Sequence, residues 1–180
     1  MIEGNSWRED CPVSLADLRY IQVDHLDFTD NISRGEIIVH KDVAKEVVDI
    51  FEELYNMNYA INQMRLVSDF NGNDWQSIEA DNTSAFNCRK ATGSKKWSKH
   101  SYGKAIDINP IANPYISKSG KISHKASLKY RKRVHKNLSN LKDRAVLLPD
   151  DPATKAFKSH NWKWGGDWHT IKDYQHFVKK

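Results

Sequence analysis

Ser98-Lys99-His100-Ser101-Tyr102-Gly103-Lys104-Ala105-Ile106-Asp107-Ile108 is the stretch that organises this chain. Its skeleton is S-x-H-x-x-G-x-A-x-D. His100 and Asp107 are seven residues apart, too far for adjacent ligands on a helix and on opposite faces of a regular strand. They can meet at one ion only if the chain turns between them. Gly103 supplies that freedom, because glycine tolerates backbone angles other residues avoid. Beyond it, Ala105-Ile106-Asp107-Ile108 reads as a buried strand, with Ile106 and Ile108 on one face and Ala105 and Asp107 on the other. Asp107 then faces a pocket, and the small Ala105 leaves room beside it.

The second half of the pattern is Asp173-Tyr174-Gln175-His176. Two imidazoles and a carboxylate can hold one zinc ion and keep a fourth position open for water. His100, Asp107 and His176 are the candidate ligands. Asp173 is a carboxylate placed to take a proton from that water. As plain core residues, each of the three ligands would need a buried hydrogen-bond partner. Their joint occurrence with Gly103 and Asp173 favours a metal-dependent hydrolytic site. Manganese or cobalt could use the same ligands. His25, His40, His124, His135 and His160 are expected to be structural. His169, seven residues before His176, is expected behind the ligands or at the surface.

Three ordered segments carry a family resemblance: Ser84-Ala85-Phe86-Asn87-Cys88-Arg89, the His100/Asp107 string, and Trp164-Gly165-Gly166-Asp167-Trp168 followed by Asp173-Tyr174-Gln175-His176-Phe177. Together they resemble the zinc D-alanyl-D-alanine carboxypeptidases, whose relatives include vancomycin-resistance D,D-dipeptidases and phage L-alanyl-D-glutamate endolysins. The resemblance spans roughly residues 60 to 177. It implies a peptidase with one Zn2+ acting on peptidoglycan stem peptides. It assigns His100, Asp107 and His176 to the metal, Asp173 to acid/base catalysis, and Arg89 to the substrate carbonyl or developing oxyanion. Ser98, Trp164 and Trp168 are further candidates for contact with substrate, although the two tryptophans are equally well explained as core. One departure is Val178, where many relatives have glutamate after the His-Phe pair.

The chain has 180 residues, 39% of them apolar, and a mean hydropathy of −0.73. That length fits one domain over 1–180 able to bury a core, with 1–17 expected as an extended arm. Six tryptophans and six phenylalanines offset the modest aliphatic content. No run approaches the ~18 apolar residues of a membrane span. The first ten residues lack the basic start and apolar stretch of a secretion signal, so the expected location, cell envelope or secreted, leaves the export route open. Cys11 and Cys88 either pair or stay as two buried thiols. A monomer is expected.

The net charge is +5. The excess is concentrated between Lys118 and Lys136, where no Asp or Glu intervenes. Such a stretch can attract an anionic wall polymer or simply be a solvated face. No recognised nucleic-acid module accompanies it, so nucleic acid is not expected as a partner.

The chain reads as α+β: a small antiparallel sheet with flanking helices, hedgehog/D,D-peptidase-like by resemblance. Leu18 to Leu26 and Glu36 to Val39 suggest strands. Asp42 is expected to cap a helix to about Asn56, with Val43, Val47, Ile50, Phe51 and Leu54 as its buried stripe. Met64 to Phe70 looks like a strand, Asn71 to Asp74 a turn, and 76–98 an irregular loop carrying Arg89. A helix near Lys125 to Leu141 and a short one from Asp151-Pro152 to about Asn161 follow. Trp162 to Trp164 and Tyr174 to Val178 are candidate final strands. Three functions fit: a peptidoglycan carboxypeptidase or endopeptidase, a cytoplasmic D-Ala-D-Ala dipeptidase, and a zinc-bound but catalytically silent binding module. The scissile bond is not fixed by the sequence, because specificity lies in the shape of the pocket.

Overall fold

In the computed structural model, which describes residues 1–180, the long apolar runs form a hairpin and a helix that carry everything else. Strands β1 (Leu18–Leu26) and β2 (Ile32–His40) pair antiparallel from Leu18↔His40 to Leu26↔Ile32. Asp27 closes their turn by accepting from the backbone N–H of Thr29 at 2.7 Å and of Asn31 at 3.1 Å. Helix α1 (Ala44–Asn56) packs on the hairpin. Val47, Ile50, Phe51 and Leu54 recur at helical spacing and are at most 1% exposed, as an amphipathic stripe requires. The cap is not Asp42. The His40 ring accepts from the Asp42 N–H at 3.2 Å, and Lys41–Val43 makes a 3-10 turn before the helix.

The later elements are short. Strand β3 (Gln63–Met64), helix α2 (Asp74–Glu79) and strand β4 (Asn82–Thr83) come next, β3 and β4 pairing in parallel. The expected strand from Met64 to Phe70 therefore ends early. Val67–Phe70 is a 3-10 turn, because Asn71 is left-handed (φ 54°) and turns the chain back. Strands β5 (Ala105–Asp107) and β6 (Tyr115–Ile116), and helices α3 (Leu141–Arg144) and α4 (Pro152–Ser159), precede the last three strands, β7 (Lys163–Trp164), β8 (Lys172–Asp173) and β9 (His176–Val178). They form an antiparallel sheet in the order β5-β9-β7 and a pair β6-β8. Small, mostly antiparallel sheets with few helices make the fold α+β.

Ile106 and Phe177, opposite each other in β5 and β9, point into the main core with α1, Phe157, Trp162 and Trp164. The Phe157 and Phe177 rings stack at 3.9 Å. A smaller cluster of Leu18, Ile38, Phe86 and Cys88 is covered by Met1, Trp7, Cys11 and Val13 of the N-terminal residues. Those residues are turns packed on the domain, not an extended arm. Cys11 and Cys88 form a disulfide, which resolves the two readings of the cysteines.

The basic stretch departs from expectation. Only Lys125–Tyr130 is helical, as 3-10, because Leu128, Val134 and Leu138 are exposed and no apolar stripe docks a longer helix. Arg133 is turned inward, donating to Ala112 O at 2.6 Å and Asn113 Oδ1 at 2.6 Å. Asp151 precedes α4, but its carboxylate accepts from Leu148 N and contacts His135 instead of capping the helix.

Candidate active site

The register of β5 on β9 sets Asp107 directly opposite His176. Paired residues share a face, so both side chains project together on the side away from Ile106 and Phe177. His100 comes from the 3-10 turn Lys99–Tyr102, whose start is capped by Ser98 Oγ accepting from the His100 N–H at 3.3 Å. Ser98 thus shapes the turn that aims His100. Gly103 ends that turn at φ 63°, and a Cβ there would lie 2.5 Å from His40 N. Glycine is required for both the angle and the approach to β2, whose His40 N–H donates to Gly103 O at 2.9 Å.

Three ligand-type atoms converge. His100 Nε2 lies 3.2 Å from His176 Nδ1 and 3.2 Å from Asp107 Oδ2, and His176 Nδ1 lies 2.9 Å from Asp107 Oδ1. Donors at about 2.0–2.1 Å from a tetrahedral zinc are separated by about 3.3 Å, so the spacing fits. The protonation pattern fits as well. His100 Nδ1 donates to Ala85 O at 2.6 Å, which turns Nε2 toward the cluster, where the neutral ring offers its lone pair. Gln175 Nε2 donates to Asp107 Oδ2 at 3.2 Å and steadies the carboxylate. All three residues are at most 8% exposed. Burial alone would raise the Asp107 carboxyl, but the His100 and His176 imidazoles hold it well below the carboxylate range. Burial alone would lower His100, yet the Asp107 charge raises it. The cluster needs added positive charge, which protons or a cation can supply.

Asp173 closes the site. Its Oδ1 is shielded from solvent and has no hydrogen-bond partner. Burial pushes its carboxyl up to about 7, with Asp107 and Asp74 adding to the rise and His176 and Arg89 opposing it. Gly165 makes this placement feasible, because a Cβ there would meet Asp173 O at 2.5 Å and its Cβ at 2.9 Å. Arg89 is anchored through Nη2 to Asp74 Oδ2 at 2.9 Å, while its buried Nε has no partner. The Arg89 N–H donates to Ser101 Oγ at 2.9 Å, beside His100.

The two tryptophans differ. Trp164 is 1% exposed and lies in the main core, its Nε1 donating to Tyr174 O at 2.8 Å. It offers no surface to a substrate, and the core reading is the one that holds. Trp168 is partly exposed, with its ring 5.5 Å from that of His176, at the edge of the site. His169 is exposed. His40, His124, His135 and His160 contact Asp42, Glu79, Asp151 and Glu53, and His25 is buried near Leu26 O.

Sequence reasoning missed Gln175, Asp74 and Tyr115. Tyr115 is paired with Asp173 across β6 and β8 and is 43% exposed. Gln175 lies inside the Asp173–His176 stretch, but no spacing signal marks its contact with Asp107, and Asp74 and Tyr115 meet Arg89 and Asp173 only through tertiary pairing.

The arrangement is a buried His/Asp/His group that could hold one metal ion, with a carboxylate and a guanidinium near it. Residues 92–179 match the family model described as D-alanyl-D-alanine carboxypeptidase. The matched segment contains His100, Asp107, Asp173 and His176, and Arg89 lies just before it. The match supports a peptidase of that type. No curated protein and no solved structure matched the chain.

Proposed function

We propose that the protein is a zinc-dependent peptidase that hydrolyses peptidoglycan stem peptides or their cross-links, as a D-Ala-D-Ala carboxypeptidase or an endopeptidase. The observation that carries this reading is the convergence of His100 Nε2, Asp107 and His176 Nδ1 within 2.9–3.2 Å, with an unpaired Asp173 carboxylate beside them. Zinc held by those three ligands would polarise the scissile carbonyl and bring the pKa of a water toward ~7.

The chain's own residues supply the rest. The Asp173 carboxylate accepts the proton of the attacking water and returns one to the leaving amine. Its raised affinity for a proton suits both steps. The Arg89 guanidinium donates to the carbonyl oxygen as negative charge develops, while Asp74 holds it in place. Ala85 O and Gln175 keep His100 and Asp107 in their ligating orientations.

The Cys11–Cys88 disulfide favours an oxidising compartment, so a cell-envelope or secreted location is supported over a cytoplasmic dipeptidase. The Asp173 carboxylate favours an enzyme over a silent module. The test is mass spectrometry of defined pentapeptide muropeptides and cross-linked dimers after incubation with zinc-loaded protein. Loss of terminal D-Ala identifies a carboxypeptidase, and split dimers or released stems identify an endopeptidase. No change in any substrate, with zinc bound, refutes the proposal.

A further inference from the structure

Beside the turn that carries His100 lies a groove of about 550 Å³. Lys96, Lys99, Lys104, Lys179 and Lys180 line it, and no acidic residue does. Lys104 and Lys179 are held by Asp42 at 3.1 Å and Glu46 at 2.6 Å. Lys96, Lys99 and Lys180 are in no ion pair with a carboxylate side chain; Lys99 Nζ lies 5.9 Å from the Tyr102 ring centroid and Lys180 lies beside Lys163.

Its placement follows from the same local structure that builds the site. The 3-10 turn Lys99–Tyr102 sends His100 and Ser101 inward, 4% and 0% exposed, and leaves Tyr102 37% exposed. At the other end of the β5–β9 ladder from Asp107 and His176, the Lys179 N–H donates to Lys104 O at 2.9 Å. Three residues of strand separate the two ends, roughly 10 Å at ~3.4 Å per residue.

We propose that this groove binds a phosphodiester-linked polyol or sugar polymer as a site separate from the metal centre. The cations are all lysines. With no acidic side chain in the lining, they match a polyanion by charge, and an ammonium meets each phosphate monoanion as a point charge. The aromatic lining fits a polyol better than a nucleic acid. Single-strand binders offer successive exposed rings to successive bases. Here Trp97 is partly buried with Lys90 Nζ 3.1 Å from its ring centroid, which leaves Tyr102 as the exposed ring. One platform can take the apolar face of a sugar or polyol but cannot stack a run of bases. The Lys118–Lys136 stretch is a weaker candidate, since Arg133 is spent on internal carbonyls.

The test titrates the full chain with a defined glycerol-phosphate oligomer, following tryptophan emission at several salt concentrations. Three free lysines give a slope of about −2 in log K against log salt. K96E/K99E should bind at least tenfold more weakly, with unchanged melting, while K118E/K121E should bind as the parent does. Unchanged affinity in K96E/K99E, or an equal loss in K118E/K121E, overturns the proposal. Tighter binding of a thymidine oligomer than of the glycerol-phosphate oligomer overturns its choice of ligand. Binding is read on zinc-free and zinc-loaded protein alike, so the result stands apart from any peptidase assay.

Discussion

Adding one methyl group at Gly165 should disable catalysis while sparing the metal. A Cβ at Gly165 would sit 2.5 Å from Asp173 O and 2.9 Å from Asp173 Cβ. Ordinary contact begins near 3.4 Å, so the Asp173 backbone must retreat by about 0.9 Å. Misplacing a catalytic group by about 1 Å costs on the order of 10²-fold in rate, and overpacking a tight site costs about 1–3 kcal/mol in stability. The neighbouring glycine provides the control. A Cβ at Gly166 would meet the Trp164 ring at 2.4 Å, and that ring is 1% exposed in the core, so Gly166→Ala should cost stability without acting directly on Asp173. The assay is kcat on a muropeptide together with zinc content and thermal melting for both variants. Gly165→Ala should lose about 10²-fold in kcat with one zinc retained, and Gly166→Ala should show the lower melting temperature and the smaller loss of kcat. Full kcat in Gly165→Ala, or equal losses in the two variants, would refute the role given to the Gly165–Asp173 contact.

Other perturbations separate the remaining parts. Asp173→Asn should retain zinc and lose turnover by about 10² or more, whereas His176→Ala should lose zinc; elemental analysis of both variants decides, and zinc loss in folded Asp173→Asn would reverse the assignment. Asp81 is a carboxylate away from the metal whose burial pushes it up to about 6, against a single bond from the Ile111 N–H at 2.9 Å. The native state therefore holds its proton more tightly than the unfolded chain, so its contribution to stability is fully present below pH 3.8 and is lost as pH rises through about 6, by about 3 kcal/mol. Asp81→Asn keeps the acceptor oxygen and should be more stable than the parent above pH 6; denaturant melts at pH 4 and 8 that differ equally for both proteins would refute this. Reducing the Cys11–Cys88 bridge, which closes a separation of 77 residues, should cost about 4 kcal/mol on the chain-entropy account, seen as a lower melting temperature with dithiothreitol and absent from a Cys11→Ser/Cys88→Ser variant.

Local chemistry was legible from the sequence wherever it depends on neighbours in the chain. The α1 stripe of Val47, Ile50, Phe51 and Leu54 is buried as its period required. The turn at Gly103 and the alternation of Ile106 and Ile108 against Asp107 are likewise where the pattern put them. The misses share one cause, which is competition from a tertiary partner. The His40 ring took the cap expected of Asp42. The Asp151 carboxylate was claimed by Leu148 N and His135. Lys125–Leu141 had charge and moderate helix propensity but no apolar stripe to dock, so it formed only a 3-10 turn and loops.

The sequence by itself determined the residue types of the candidate site, because a turn at glycine and alternation along a strand are set by covalent geometry and steric limits acting over a few residues. Tertiary structure decided which atoms meet. Asp107 stands opposite His176 across a separation of 69 residues, Asp74 anchors Arg89, and Cys11 reaches Cys88. Those contacts depend on the register of distant strands, which is fixed by burying Ile106 and Phe177 on the same face of the sheet, and no local spacing encodes that choice.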